Sequence, residues 1–180
     1  MPSAPEPRSR LAGFAGRLEA FAGSEACRAG GAPEEALRDQ ARRFGETSRA
    51  ERDGISTQLM EVYKRTGSKE AFTLLYELNH EDFLRLIYHH LRRAFYPVDP
   101  GDVLQEVFFN VYRYPFKFKP DRNSAFRNWT HSIIRNTVLK HSRRAQRDRF
   151  LSFGVRDKDS DEGLLVEPAD DRVPTPFEAA

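Results

Sequence analysis

A capping aspartate and a set of prolines divide the middle of this chain into two helices and a loop. The stretch is residues 99–147, DPGDVLQEVFFNVYRYPFKFKPDRNSAFRNWTHSIIRNTVLKHSRRAQR. Asp99 followed by Pro100 is a strong helix start. The carboxylate accepts from first-turn amides, and a proline at the first helical position gives up an N–H that has no partner there anyway. Pro115 ends this helix at about Tyr114. Residues 115–124, PFKFKPDRNS, cannot form a regular helix around Pro115 and Pro120. Ser124 is suited to cap a second helix that runs to about Gln146.

Each helix has distinct faces. Val103, Leu104, Val107, Phe108 and Val111 form the apolar side of the first. Asp102, Gln105, Glu106, Phe109 and Arg113 follow helical spacing on the other side. In the second, Phe126, Trp129, Ile133, Ile134 and Val138 can bury one side. Arg127, His131 and Arg135 lie four apart, and Asn136, Lys140, Arg143, Arg144 and Arg147 line a neighbouring stripe. Upstream, Ser68 can cap a helix carrying Leu75, Leu78, Leu84, Ile87, Tyr88 and Leu91. The polar run Asn79-His80-Glu81-Asp82 leaves open one kinked helix or two in sequence. Arg92 and Arg93 fall in its last turn, where cations offset the helix dipole, and Tyr96-Pro97-Val98 is a break. No sustained alternating pattern argues for a strand, so the expected fold is all-α.

The expected organisation has three parts. Residues 1–66 are an N-terminal extension, partly helical or disordered, with the core beginning near Gly67. Within it Leu11, Phe14, Leu18 and Phe21 allow a short amphipathic helix, which Gly13, Gly16 and Gly23 weaken. Residues 67–149 form a compact helical domain. Residues 150–180 read as a disordered acidic tail or linker.

A hydrophobic share of 39% and a mean hydropathy of -0.68 fit a chain partly outside any core. The net charge of +2 conceals a segregation of charge. Residues 113–149 hold 11 Lys/Arg against 2 Asp/Glu, whereas residues 155–180 hold 3 against 8. A basic block followed by an acidic tail suggests a polyanion-binding face and a tail that competes for it. The single cysteine, Cys27, rules out an intramolecular disulfide and suits a reducing compartment. No apolar run approaches the roughly 20 residues that span a bilayer, and no secretory signal opens the chain. The expected location is the cytoplasm, with no membrane partner.

Catalytic and metal motifs fail on inspection. His89 and His90 are adjacent and diverge on a helix. His80-Glu81 lacks the second histidine of a zinc-protease motif. Asp157, Asp159 and Asp161 resemble the opening of a calcium loop, but Glu162 replaces the turn glycine and Pro168 the bidentate acid. Cys27 has no paired histidine nearby in sequence. No carboxylate–histidine cluster accompanies the basic face, so neither an enzyme, a metal site nor a cofactor is expected. Trp129 suits core packing as well as a base platform, and Asp102 suits the helix dipole as well as a partner.

The order of these features resembles the second conserved region of bacterial sigma factors of the extracytoplasmic-function group. Asp102-Val-Leu-Gln105-Glu106-Val-Phe108 is similar to that family's D-x-x-Q-E-x-F segment. Phe126-Arg-Asn-Trp129 and Ile133-Ile-Arg135-Asn136 are similar to its F-R-x-W and I-A-R-N segments, and Arg143-Arg144 to its closing arginine pair. The resemblance covers roughly residues 68–147.

This resemblance implies a non-enzymatic sigma factor for DNA-templated transcription initiation. Asp102, Gln105, Glu106 and Phe109 would dock on the clamp coiled coil of the beta-prime subunit of core RNA polymerase. Lys117, Lys119, Arg122, Arg127, Trp129, Arg135, Asn136, Lys140, Arg143, Arg144 and Arg147 would bind promoter DNA, recognising and melting the minus-ten element. A pocket between the loop and Asn136 would take an extruded base. An anti-sigma factor is a further implied partner. Two departures stand beside it. Lys140 occupies a position where the family often has Asp. Only 33 residues follow Arg147, too few and too acidic for the family's C-terminal helix-turn-helix domain. Either the chain is truncated, or it is a sigma-like regulator that binds polymerase or DNA without initiating.

Overall fold

The computed structural model describes the backbone of residues 7–92 and 98–154 and the side chains of residues 13–92 and 98–148. The described residues contain seven α-helices and no strand, as the periodicity implies. They are α1 (Pro7–Ala22), α2 (Glu25–Ala29), α3 (Glu34–Arg42), α4 (Arg49–Thr66), α5 (Lys69–Leu91), α6 (Pro100–Arg113) and α7 (Ala125–Gly154). Helices α4 to α7 pack into a bundle: α5 lies between α4 and α6, and α7 closes against all three. Helix α1 lies on α3 and α5, while α2 sits on α4.

The core does not begin near Gly67. Phe14, Leu18 and Phe21, spaced four and three apart, are buried in the same cluster as Phe44, Leu59 and Ile87. Their burial, together with the Arg17–Glu77 ion pair from α1 to α5 at 2.8 Å, offsets the helix-weakening effect of Gly13 and Gly16. Helix α4 is the larger revision. Ser48 and Glu51 form a reciprocal capping box, with Ser48 N donating to Glu51 Oε2 at 2.7 Å and Glu51 N to Ser48 Oγ at 3.3 Å. Ile55, Leu59, Val62 and Tyr63 then form a buried stripe at helical spacing. Gly67, at φ 69°, ends the helix in the left-handed region that glycine adopts without strain. At Gly30 the turn after α2 presses on α4, and a Cβ there would come within 2.7 Å of Val62.

Helix α5 is a single helix capped by Ser68, whose Oγ accepts from Ala71 N at 3.2 Å. The polar run does not interrupt it because its members have partners. Asn79 Nδ2 donates to Leu75 O at 2.8 Å and to Ser56 Oγ of α4 at 3.0 Å, and Glu81 and Asp82 lie 3.5 Å from Arg85. Arg92 stands one residue past the helix, while Arg93, Tyr96 and Pro97 fall outside the described residues. Helix α6 starts as expected, Asp99 Oδ1 accepting from Gly101 N at 2.7 Å. All five residues of its expected apolar face are buried. Helix α7 continues to Gly154, two turns beyond the expected end near Gln146. Residues 150–154 of the expected acidic tail thus belong to α7, while residues 155–180, and with them the rest of that tail and the rejected calcium-like loop, lie outside the described residues.

Cys27 is fully buried rather than part of a loose extension, and burial pushes its thiol pKa up. If the N-terminal helices share one cooperative core with the bundle, Phe44→Ala costs about 3–5 kcal/mol. Urea unfolding then shows one transition by both Trp129 fluorescence and circular dichroism. Non-coincident transitions, with fluorescence unchanged, would instead mark α1 to α3 as a separate unit.

Candidate polymerase and nucleic-acid interfaces

The segment between α6 and α7 has little regular structure to satisfy its backbone, and α4 supplies what is missing. Pro115–Lys117 makes one 3₁₀ turn. Tyr63 OH donates to the carbonyl of Tyr112 at 3.0 Å, one of the last carbonyls of α6 and so without an intrahelical donor. Lys64 Nζ donates to the Phe118 carbonyl at 2.7 Å. Thr57 Oγ1 donates to the Asn123 carbonyl at 2.7 Å and accepts from Phe126 N at 3.2 Å. Phe126 is the second residue of α7, so Thr57 caps that helix from another element. Ser124, the expected cap, instead receives Asn128 Nδ2 on its hydroxyl at 3.3 Å and Asn128 N on its carbonyl at 3.0 Å.

Tethered in this way, the loop drives Phe118 into the core. Its ring meets Trp129 at 5.5 Å and Phe126 at 6.3 Å. Trp129 is partly buried against this pair and keeps some of its surface open. Phe116 and Lys119 are exposed, Phe116 at 64%. Lys117 Nζ lies 5.9 Å from the Tyr114 ring centroid, and Arg122 pairs with Asp121 at 3.0 Å.

Of the four residues expected to dock a protein, Asp102, Gln105 and Phe109 are exposed on one face of α6, Phe109 at 55%. Arg113, one turn further on, stacks its guanidinium over Phe109 at 6.0 Å. Glu106 is placed differently. Lys140 Nζ donates to its Oε1 at 2.8 Å, and His141 Nε2 lies 2.7 Å from its Oε2. A residue expected to meet a protein and a residue expected to meet DNA are therefore partners across the α6–α7 packing. Burial raises the pKa of the Glu106 carboxyl, but hydrogen bonds from Lys140 and His141 outweigh it and hold the net value below the ordinary range.

The expected DNA-facing residues also divide. Arg135, Arg143, Arg144 and Arg147 are exposed, and of these Arg144 alone has an ion pair among the described residues, 4.0 Å to Asp148. Arg127 is engaged internally, 3.0 Å from Asp53 of α4, whose side chain is only 16% exposed. Asn136 is partly buried on α7. His131, one turn beyond Arg127, has its pKa lowered by burial and then by Arg127 and Arg49, which favours the neutral ring. The residues that the sequence reading missed are thus Asp53, Thr57, Tyr63 and Lys64. The stripe of Ile55, Leu59, Val62 and Tyr63 after a Ser48–Glu51 capping signal was the available clue to α4.

Residues 75–148 match the family model described as Sigma-70 region 2. This stretch is similar to a sigma-70 region 2. The match runs from within α5, through α6 and the tethered loop, to Asp148 of α7, and leaves α1 to α4 outside it. The family is a non-enzymatic transcription-initiation domain, and its presence points to a sigma-factor role in transcription initiation. No curated protein and no solved structure matches the chain. Among the described residues, no helix is long and apolar enough to cross a membrane. Nor, among the described residues, do His, Cys, Asp and Glu group in a way that could hold a metal ion.

Two outcomes follow for the bundle. Thr57→Val leaves the Asn123 carbonyl and the Phe126 amide without their partner and destabilises the fold by about 1–3 kcal/mol in urea titrations. Lys140→Ala weakens the fold above about pH 4.3, the ordinary glutamate value, because a depressed folded pKa stabilises only where the carboxylate is ionised. The gap to wild type closes as pH falls through the folded-state value. A gap that persists in acid would mean that Lys140 stabilises the fold by some other route.

Proposed function

We propose that the chain is a sigma factor whose region 2 binds core RNA polymerase through α6 and promoter DNA through α7, in the bacterial cytoplasm. Asp102, Gln105 and Phe109 are the docking residues on α6. Asp102 and Gln105 offer acceptors to a basic partner helix, and the Phe109 ring beside Arg113 offers apolar area. The partner is the clamp coiled coil of the beta-prime subunit, as the resemblance of the D-x-x-Q-E-x-F segment implies.

The DNA face is the exposed side of α7 together with the loop. Arg135, Arg143, Arg144 and Arg147 neutralise phosphates, with Lys119 and Lys117 extending the positive field along the loop. Phe116 and the open part of Trp129 offer stacking surfaces for unpaired bases of the minus-ten element, at about 1–3 kcal/mol per base where they stack. The reading is carried by one observation: within a single region-2 match, the acidic-apolar face of α6 and the arginine stripe of α7 are exposed at the same time. Arg127, engaged by Asp53, serves chiefly to orient α7.

In vitro transcription with bacterial core polymerase and a pool of promoter fragments tests the proposal. The full chain directs specific initiation, and Asp102→Lys with Phe109→Ala lowers core affinity at least about tenfold, the scale of 1.4 kcal/mol or more. Alanine at Arg135, Arg143 or Arg147 reduces the slope of log affinity against log salt by about 0.7–0.9 for each phosphate no longer neutralised. Polymerase binding without transcripts would identify a regulator that occupies the clamp. Undiminished polymerase binding by the α6 variant would place docking elsewhere.

A further inference from the structure

Glu106 stands where the two proposed faces meet, and its geometry does not fit an outward docking group. Both carboxylate oxygens are occupied, by Lys140 at 2.8 Å and His141 at 2.7 Å, and its side chain is 27% exposed. Lys140 is 70% exposed and sits three residues before Arg143 on the α7 stripe. An ammonium held on a carboxylate is a poorer phosphate ligand than its exposure implies. Phosphate must first displace the carboxylate, and the charge of the pair sums to near zero in the local field.

We propose that Glu106 is a positioning residue that ties α7 to α6 and withholds Lys140 from nucleic-acid phosphate in the free chain. A cationic partner surface on α6 that draws the carboxylate away releases Lys140 to DNA. Helix α6 then does more than dock: occupying its polar face changes the charge that α7 presents. The two groups that hold the carboxylate differ in character. His141 is 23% exposed and packs in the α6–α7 seam, contributing an ionic attraction only when protonated, while Lys140 reaches in from solvent. Lys140 is thus the partner that exchanges, and an exposed pair of this kind is weak enough to exchange readily. This inference rests on the DNA face proposed above.

The test uses the full chain as wild type, Glu106→Gln, Lys140→Ala and the double variant. Each is titrated with a labelled oligothymidylate over a range of salt. In parallel, acylation of Lys140 by an amine-reactive reagent is followed by mass spectrometry without DNA, and again with core polymerase. Glutamine keeps the size of the side chain while removing its charge and one acceptor, and thermal unfolding verifies that each variant folds. Glu106→Gln tightens oligonucleotide binding by about 2–5-fold, the worth of an exposed ion pair. It also steepens the salt slope by about 0.7, the effect of neutralising one more phosphate on a single strand. In the double variant the whole increase seen in the Gln variant is lost and affinity returns to about the wild-type value, an effect that a merely structural role of Glu106 would not produce. Lys140 acylates faster in the Gln variant, and core polymerase accelerates it in the wild type.

Equal acylation in wild type and Glu106→Gln overturns the tether. Tighter binding that survives in the double variant overturns Lys140 as the released group. Faster acylation in the Gln variant with no oligonucleotide binding in any variant overturns the DNA face of α7 instead. Acylation in the wild type that core polymerase leaves unchanged overturns the release step.

Discussion

Three polar atoms on α4 make the four hydrogen bonds that hold the segment on which everything downstream depends. A chain that turns between two helices across Pro115 and Pro120 leaves backbone groups without regular partners, and burying them unpaired costs about 1–3 kcal/mol apiece. Tyr63 and Lys64 donate to the carbonyls of Tyr112 and Phe118, and the Thr57 hydroxyl serves both the Asn123 carbonyl and the Phe126 amide. With those bonds made, Phe118 fills the core beside Phe126 and Trp129, and α7 leaves the bundle in one direction. Asp53 adds an ion pair to Arg127 in the first turn of that helix. The arginine stripe of α7 is therefore aimed by a helix that lies outside the residues matching region 2.

The same logic accounts for the N-terminal helices. Helix α4 buries a stripe of Ile55, Leu59 and Val62 and packs on α2 and α3 as well as on α5 and α7. Helix α2 and its turn cover Val62, and Arg65 Nη1 donates to the Gly30 carbonyl at 3.0 Å. Phe44 packs on Phe14 at 4.7 Å and receives the Arg52 guanidinium over its ring at 5.6 Å. The support for the loop is thus itself supported, in a sequence from α1 to α3, to α4, to the loop, to α7.

Much of the bundle was legible from local signals. Ser68, Asp99 and Pro100 start helices where capping chemistry places them, and the apolar face of α6 is buried residue for residue. Residues 7–66 were harder to read because their stripes are short and interrupted by glycine and charge. Phe14, Leu18 and Phe21 were visible as a possible face, but their burial needed partners from α3 and α5. Asn79 looked like an interruption of α5 because its partner, Ser56, lies 23 residues away on another helix. For the site, exposure of Asp102, Gln105, Phe109, Arg135 and Arg143 agrees with helical spacing. Spacing could not reveal that Arg127 and Lys140 are held by Asp53 and Glu106.

The sequence by itself determined the all-α class, the helix starts, the two faces of α6 and the concentration of positive charge along α7. Each of these is set within a few residues by capping, proline geometry and a 3.6-residue period. Only the tertiary structure decided which cations remain available and what holds the loop. A hydrogen bond or ion pair between residues 34 to 74 positions apart leaves no periodic trace in the chain. So Glu106, placed by its helix on a polar face, became the point at which that face and α7 are joined.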